Sequence, residues 1–194
     1  DAPRTRLRLR AEMMPDGPLR DGAMRDVDAM RDLVEDALFF AKASLDGDGG
    51  PTDAASAAAE IAEVRQATGA PVALAPPGGP VMVPLARPAL TRVLDNLVDN
   101  ALAYGGGAEI TVGKDGRGRA EITISDRGPG IPPGERERVF EPFYRIEGSR
   151  SRDHGGTGLG LTIVRQLVES AGGTITLADR EGGGLAVTLC FQGH

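Results

Sequence analysis

A glycine-rich run, GGTGLGL at residues 155–161, stands directly before a stretch that has the pattern of a helix. Each glycine costs up to about 1 kcal/mol in lost rigidity, so this run needs a reason for its backbone freedom. Backbone N–H groups of a flexible loop that leads into a helix N-terminus form a favourable anion site. A triphosphate would suit this loop, and the Thr157 hydroxyl could add a hydrogen bond. A glycine loop alone is a weak indication.

Two asparagines, Asn96 and Asn100, lie four residues apart in LDNLVDNALAY, so both amides fall on one face of a predicted helix. Asparagine is a poor helix former, and a buried amide needs hydrogen-bond partners. The pair could simply bond to nearby backbone. Alternatively, Asn100 supplies a carbonyl oxygen to a hard cation such as Mg²⁺, which prefers oxygen ligands and keeps much of its shell for phosphates and water.

Asp126 follows the predicted strand EITI, and Gly128 and Gly130 come shortly after it. An aspartate at a strand end could cap a turn. Its carboxylate could instead accept a hydrogen bond from an exocyclic amine, which adenine carries where guanine has a carbonyl group. That contact would select ATP over GTP, and the glycines would let the backbone lie close to the base.

Three aromatic residues, Phe140, Phe143 and Tyr144, occur within the short stretch VFEPFYR. They could form a local hydrophobic cluster or a docking patch at the root of the next loop. That loop, RIEGSRSRDHGG, is polar and glycine-rich, so we expect it to be mobile. His154 lies in this loop, where its side chain could be solvated or could take part in catalysis.

The bulk composition limits the class of protein. The chain has 194 residues, a formal net charge of -6 and a sequence pI near 5.0. This acidic balance argues against nucleic-acid binding, which needs a basic surface for phosphate groups. No apolar run is long enough to span a membrane, so we expect no membrane contact by this segment. The single cysteine, Cys190, excludes an internal disulfide, indicates a reducing compartment and is predicted to lie in the core.

The order of predicted helices and strands around the candidate residues indicates an α/β two-layer sandwich. Its sheet would be antiparallel or mixed, with helices on one face. Helical and alternating patterns separate the helices from the strands. The predicted helices cover 54–69, 87–104 and 157–171, and the predicted strands cover 71–75, 81–85, 108–114, 119–126, 174–179 and 184–191. The segments DGRG and REGGG each join two of these strands, which predicts two hairpins.

The first 44 residues have a different character. From Leu19 to about Ala43, apolar residues recur at spacings of three and four, which predicts a helix roughly 37 Å long. A helical hairpin buries too little surface alone, so we predict a homodimer through residues 4–43 that forms a four-helix bundle. Arginines at 4, 6, 8 and 10 could contact an acidic partner or form a solvated helix face.

The composition of LDGDGGPTD at 45–53 is typical of a linker. The predicted organisation is therefore a helical hairpin at 1–44, a linker at 45–52 and a domain at 53–194.

The motifs occur together, in one order, on one α/β domain, and in that combination they resemble the ATP-binding domain of sensor histidine kinases. NLVDNALAYG resembles the N box of that family, DRGPG the first glycine box, FEPFYR the F box, GGTGLGL the second glycine box and REGGG the weaker third. The boxes are shared with the wider superfamily of gyrase, mismatch-repair ATPases and the large heat-shock chaperone. The resemblance covers the whole chain and implies the histidine-kinase/gyrase-type ATP-binding fold, preceded by part of the dimerisation and histidine-phosphotransfer hairpin.

The resemblance also implies the cofactors, ATP or ADP with Mg²⁺, and the roles of single residues. Asn96 and Asn100 would be the catalytic residues, with Asn96 on the phosphates and Asn100 on the metal. The nucleotide would be bound by residues from all the boxes: Asn96, Asn100, Tyr104, Asp126, Gly128, Gly130, Gly156, Thr157, Gly158, Leu159 and Gly160.

Asn96 discriminates within the superfamily. Its ATPases carry a glutamate one helical turn before the magnesium asparagine, where it activates water. An amide cannot take a proton, so Asn96 favours phosphoryl transfer to a protein over hydrolysis. The chain also departs from the family at Ala103, where many relatives carry Lys or Arg.

The implied function is that of the kinase core of a two-component sensor histidine kinase, which transfers the γ-phosphoryl group of ATP to a histidine and thence to the receiver domain of a response regulator. The resemblance places that histidine shortly before Asp1, outside this chain. The implied location is the cytoplasm, with an inner-membrane anchor elsewhere in the full-length protein left open. Two alternatives remain: a serine kinase or ATPase of the same superfamily, and a non-catalytic nucleotide-sensing module that acts through dimer contacts.

Overall fold

A computed structural model describes residues 50–146 and 158–192, together with short pieces between residues 9 and 34. In these pieces, residues 18–24 are helical, as the sequence predicts. Most of the predicted hairpin and the loop at 147–157 lie outside the described residues, so the four-helix bundle stays a prediction. None of the described helices combines the length and the apolar character that crossing a bilayer requires.

Residues 50–146 and 158–192 form seven strands and three α-helices. In chain order these elements are β1 (Thr52–Asp53), α1 (Ala54–Ala67), β2 (Val72–Leu74), β3 (Met82–Val83), α2 (Arg87–Gly105), β4 (Ala108–Lys114), β5 (Ala120–Ser125), α3 (Gly160–Ser170), β6 (Thr174–Asp179) and β7 (Leu185–Phe191). Two short 3₁₀ turns, Pro133–Glu135 and Arg138–Phe140, lie between β5 and α3.

Five strands form one mixed sheet in the order β2-β4-β5-β7-β6. Only β2 pairs in parallel, with β4, and the other pairs are antiparallel. The predicted hairpins β4–β5 and β6–β7 are both confirmed. The C-terminal end of β5 and the turn after β6 therefore lie at the same end of the sheet's strands, and the candidate site is built there.

The two faces of the sheet differ in side-chain chemistry. One register row places Ile110, Ile124, Val187 and Leu177 side by side, and all four are buried. The helices cover this face, since α1 and α2 contact β4 and α3 contacts β6. The next row, on the other face, consists of partly or fully exposed threonines: Thr111, Thr123, Thr188 and Thr176. The prediction of a two-layer sandwich with helices on one face is thus confirmed.

Helix α2 carries the predicted asparagines and packs on the sheet through a buried apolar stripe: Leu90, Val93, Leu94, Leu97, Val98 and Ala101. Burying each large apolar side chain contributes about 1.5–3 kcal/mol relative to exposure. The helix ends at Gly106, which has a φ of 69° and donates its N–H to the Leu102 carbonyl oxygen. The stripe fixes the rotation of α2 and thereby the face on which Asn96 and Asn100 lie.

Two sequence-based predictions need correction. Thr52 and Asp53, assigned to the linker by composition, form strand β1, which pairs with β3. The Thr52 hydroxyl donates to the Leu85 carbonyl oxygen at 2.6 Å, and Asp53 caps α1 through the Ala55 N–H. Cys190, predicted in the core, is only half-buried, because the alternation of β7 turns its neighbours Leu189 and Phe191 inward.

Candidate functional site

Asp126 is held at the end of β5 by three glycines from three different elements. A Cβ atom on Gly105 would lie 2.4 Å from the Asp126 Cβ, and one on Gly184 would lie 2.0 Å from the Asp126 carbonyl oxygen. A Cβ on Gly128 would lie 3.1 Å from Asp126 Oδ1 and 2.6 Å from the Tyr104 carbonyl oxygen. Any larger residue would collide there, so the close approach of backbone around Asp126 requires glycine.

Asp126 is only 8% exposed, and its carboxylate already has two backbone donors. The Gly128 N–H donates to Oδ1 at 2.7 Å, and the Leu185 N–H donates to the same oxygen at 3.3 Å. The contact with Gly128 is the turn cap that the sequence left open. Both bonds end on Oδ1, so within the described part of the chain Oδ2 keeps its capacity to accept from a ligand.

Asn96 lies on α2 where the N-terminus of α3 approaches it. A Cβ atom on Gly160 would lie 3.1 Å from Asn96 Oδ1, so only a glycine permits this approach without adjustment. The Asn96 Nδ2 is buried and has no hydrogen-bond partner among the residues that the structure describes. A buried, unpaired amide donor is costly, so this position suits an acceptor that the described residues do not provide.

The start of α3 offers further donors beside Asn96. The first N–H groups of a helix have no intrahelical acceptor, and the N-cap residue Leu159 provides no side-chain cap. The predicted helix start at Thr157 is three residues earlier than the observed start at Gly160. Together, the Asn96 amide and the start of α3 form an environment suited to an anion.

Asn100 and Tyr104 continue the same face of α2 beyond Asn96, at successive spacings of four residues. Asn100 is half-buried and Tyr104 is exposed. No group of three or more acidic, histidine or cysteine side chains that could hold a metal occurs in the described ranges. The neutral oxygen of Asn100 therefore fits an ion such as Mg²⁺ only if phosphates and water supply most of its ligands.

The aromatic stretch is tied to the glycine loop at Gly158. The Phe143 N–H donates to the Gly158 carbonyl oxygen at 3.0 Å, and a Cβ on Gly158 would lie 2.9 Å from the Phe143 Cα. Gly158 has a φ of 73°, and Phe143 has an unusual φ of 64°. Phe140 belongs to the core, as the interpretation of a hydrophobic cluster predicts, whereas Phe143 is 64% exposed. A docking patch at this position stays a prediction.

Contacts with α3 fix the buried end of this stretch. Thr162 Oγ1 donates to the Phe140 carbonyl oxygen at 2.9 Å, and the Arg165 guanidinium stacks 5.0 Å from the centre of the Phe140 ring. Tyr144 bonds to Glu135, which raises the pKa of its phenol. The root of the loop at 147–157 is therefore anchored on both of its sides.

The structure gathers the predicted residues into two groups along α2. Asp126 and Gly128 lie near its C-terminal end, where Gly130 adjoins the β6–β7 turn at Gly184. Asn96 lies near Gly160 at the start of α3, and Gly158, shortly before it, adjoins Phe143. Gly156, Thr157 and His154 lie outside the described residues. The residues that sequence reasoning missed are Gly105, Gly184 and Arg180, which surround Asp126. The glycine runs GGG and REGGG were visible signals, but their closeness to Asp126 was not.

A sequence model of one protein family matches the chain over residues 86–193, and its description is "Histidine kinase-, DNA gyrase B-, and HSP90-like ATPase". Among curated proteins, the sensor histidine kinase GtrS of Pseudomonas aeruginosa is 36% identical over 193 residues, which are 96% of this chain and 38% of that protein. The sensor histidine kinase CpxA of Escherichia coli is 43% identical over 105 residues, which are 52% of this chain and 22% of that protein. The chain thus spans well under half of these relatives.

Solved structures show the same fold. The mycobacterial sensor histidine kinase MprB is 31% identical with a TM-score of 0.58, over 75% of this chain and 98% of that one. The ATP-binding domain of PrrB from Mycobacterium tuberculosis is 28% identical with a TM-score of 0.61, over 76% of this chain and 98% of that one. The shared arrangement of helices and sheet is the ATP-binding fold of histidine kinases.

Proposed function

Because the chain belongs to the family of histidine kinase-, DNA gyrase B- and HSP90-like ATPases, we propose that it is the ATP-binding kinase core of a two-component sensor histidine kinase. The observation that carries the proposal is the buried Asn96 amide, which has no partner in the described chain and faces the approach of α3. An anionic group such as a phosphate would supply the missing acceptor.

The nucleotide would extend along α2 between the two groups of residues. Asn96 and Gly105 are nine residues apart, which corresponds to about 14 Å of helix and suits an extended nucleoside triphosphate. Adenine would donate its exocyclic amine to Asp126 Oδ2, because Oδ1 is already engaged by backbone. The phosphates would lie at the other end, against Asn96 and the N-terminus of α3.

Asn100 would hold Mg²⁺ through its carbonyl oxygen, one helical turn from Asn96. The metal, when bound, neutralises charge on the phosphates during phosphoryl transfer. The chain's own residues act by position: Asn96 donates to a phosphate oxygen, and the N–H groups of α3 orient the γ-phosphoryl group. A histidine nitrogen would then form the new bond to phosphorus as the bond to ADP breaks.

Partners follow from the same proposal. Residues 4–43 would form a homodimer as a four-helix bundle, and residues 53–194 would be the catalytic domain after a linker. The phosphoryl group would pass from a histidine outside this chain to the receiver domain of a response regulator. Neither His154 nor His194, the chain's two histidines, belongs to the segment at 4–43, so the acceptor would be a different histidine.

Radiolabelled ATP tests the proposal in a longer chain that includes the proposed acceptor histidine. We expect acid-labile, base-stable phosphate on that chain, and none on the same chain with Asn100→Ala. Steady release of phosphate without protein labelling would instead indicate an ATPase, and acid-stable labelling a serine kinase. Tight ATP binding without either reaction would indicate a nucleotide-sensing module, and each of these three outcomes would overturn the proposal.

A further inference from the structure

Arg180 lies in the turn between β6 and β7, and its side chain extends across the ends of the strands to the backbone of Asp126. Its Nη1 donates to the Asp126 carbonyl oxygen at 3.3 Å, and its Nη2 donates to Glu109 Oε2 at 2.6 Å. The sheet order places β7 and β5 between the turn and Glu109 on β4. One guanidinium therefore joins the ends of β4 and β5 to the β6–β7 turn.

Several contacts fix Arg180 in this position. Its side chain is 16% exposed, and the turn is closed by the bond from the Arg180 N–H to the Gly184 carbonyl oxygen at 3.1 Å. Arg127 also binds Glu109, at 3.3 Å, but its side chain is 70% exposed. The hydrogen bond from Arg180 holds the pKa of Glu109 below its usual value, so the carboxylate partner stays charged at neutral pH.

A cavity of about 560 Å³ is lined by Asp126 together with Arg180, Glu109 and Ser125, among other residues. Ser125 pairs with Glu109 across the two strands. The cluster of Arg180, Glu109 and Asp126 therefore borders this cavity. In the absence of Arg180, water could satisfy the Asp126 carbonyl oxygen but would not hold it in one place.

We infer that Arg180 is a positioning residue that fixes the Asp126 carboxylate for adenine selection. The guanidinium donates to the backbone carbonyl oxygen of Asp126, while the N–H groups of Gly128 and Leu185 donate to Oδ1 of its side chain. Small displacements weaken a directional hydrogen bond steeply, so the adenine contact of Oδ2 depends on this support. The inference rests on the proposed function, since it requires that Asp126 binds adenine.

Calorimetry with ADP and inosine diphosphate separates positioning from general stability, because hypoxanthine has a carbonyl group where adenine has the amine. The parent should prefer ADP, and Arg180→Met should lower that preference about three- to tenfold while leaving the affinity for inosine diphosphate unchanged. The preference of Arg180→Lys for ADP should lie between those of the parent and Arg180→Met, because lysine keeps the charge but cannot bridge both acceptors. Arg127→Met, the matched control, removes the exposed arginine of the same cluster and should keep the preference of the parent.

An unchanged preference in Arg180→Met, or an equal loss for both nucleotides, would overturn the inference. Glu109→Ala provides a second variant if Arg180→Met does not fold, and it should shift the preference in the same direction. Asp126→Ala distinguishes the two levels of the argument. If that variant keeps the parent's preference, the adenine contact itself is wrong; if it loses the preference while the Arg180 and Glu109 variants keep it, only the role of Arg180 is wrong.

Discussion

At the scale of single residues, the site contains polar groups whose hydrogen-bonding capacity is only partly used by the described residues. Asp126 uses one carboxylate oxygen for backbone, and Asn96 has a buried donor with no partner among the described residues. Sequence spacing pointed to both residues. It could not show which oxygen of Asp126 is engaged, because one donor, the Leu185 N–H, lies 59 positions away in the chain.

The first prediction concerns Asp126. Asp126→Ala removes a charge-assisted hydrogen bond worth about 1.5–3 kcal/mol, so the affinity for ADP should fall roughly 10- to 150-fold by calorimetry. Asp126→Asn is the matched variant, because its oxygen can still accept from Gly128 while its amide can only donate to the base. It should lose ADP affinity and gain relative affinity for inosine diphosphate. An unchanged ADP affinity in folded Asp126→Ala would contradict the assignment.

The second prediction concerns Asn100, which the proposal places on the metal. In Asn100→Ala, Mg²⁺ should no longer strengthen ATP binding, because the protein's oxygen ligand is gone. Binding measured in the absence of divalent metal should stay close to that of the parent, which serves as the internal control. If Mg²⁺ enhances ATP binding equally in both proteins, Asn100 does not ligate the metal.

At the scale of elements, the sequence predicted the helices and strands with periodic apolar residues well. It predicted poorly the contacts between segments that are distant in the chain. Helix α2, the hairpins and the α/β layering follow from local patterns of apolar residues. Strand β1 was missed because two residues among glycines and a proline carry no periodicity, and their strand character comes from pairing with β3. Cys190 was misplaced because Thr188 is the single polar residue of LAVTLCF, so residue type marked the outward face only weakly.

The third prediction separates element stability from ligand binding at Gly160. Alanine is a better helix residue than glycine by up to about 1 kcal/mol, so Gly160→Ala should keep or raise the midpoint of thermal unfolding. The new Cβ would lie 3.1 Å from Asn96 Oδ1 and displace the amide that faces the phosphates, so ADP affinity should fall. Gly134→Ala is the control, since a Cβ there meets no atom within 4 Å. A stabilised Gly160→Ala with full affinity would show that the approach of α3 to Asn96 is irrelevant to binding.

At the scale of the whole molecule, several apolar side chains in the described pieces before the linker are exposed. Leu19, in the helical piece before the linker, is 82% exposed, and Met13 and Met30 are exposed as well. Exposed apolar side chains that lie close together along a chain are typical of an interface with another chain. The described core, which runs from α1 to β7, contains none of these residues.

The last prediction therefore concerns where the domain begins. Deleting residues 1–44 should give a monomer by sedimentation that still binds ADP, because the core and both groups of site residues remain. Extending the deletion to residue 53 should lower the free energy of unfolding by about 2 kcal/mol, the combined contribution of a helix cap and a buried hydrogen bond. The longer deletion removes the Asp53 cap on α1 and the hydrogen bond from Thr52 to Leu85. Thr52→Val should reproduce roughly half of that destabilisation in the chain that keeps both residues, which separates the hydroxyl from the cap. If the first deletion abolishes ADP binding, residues 1–44 belong to the catalytic domain; if both deletions are equally stable, β1 adds nothing to the fold.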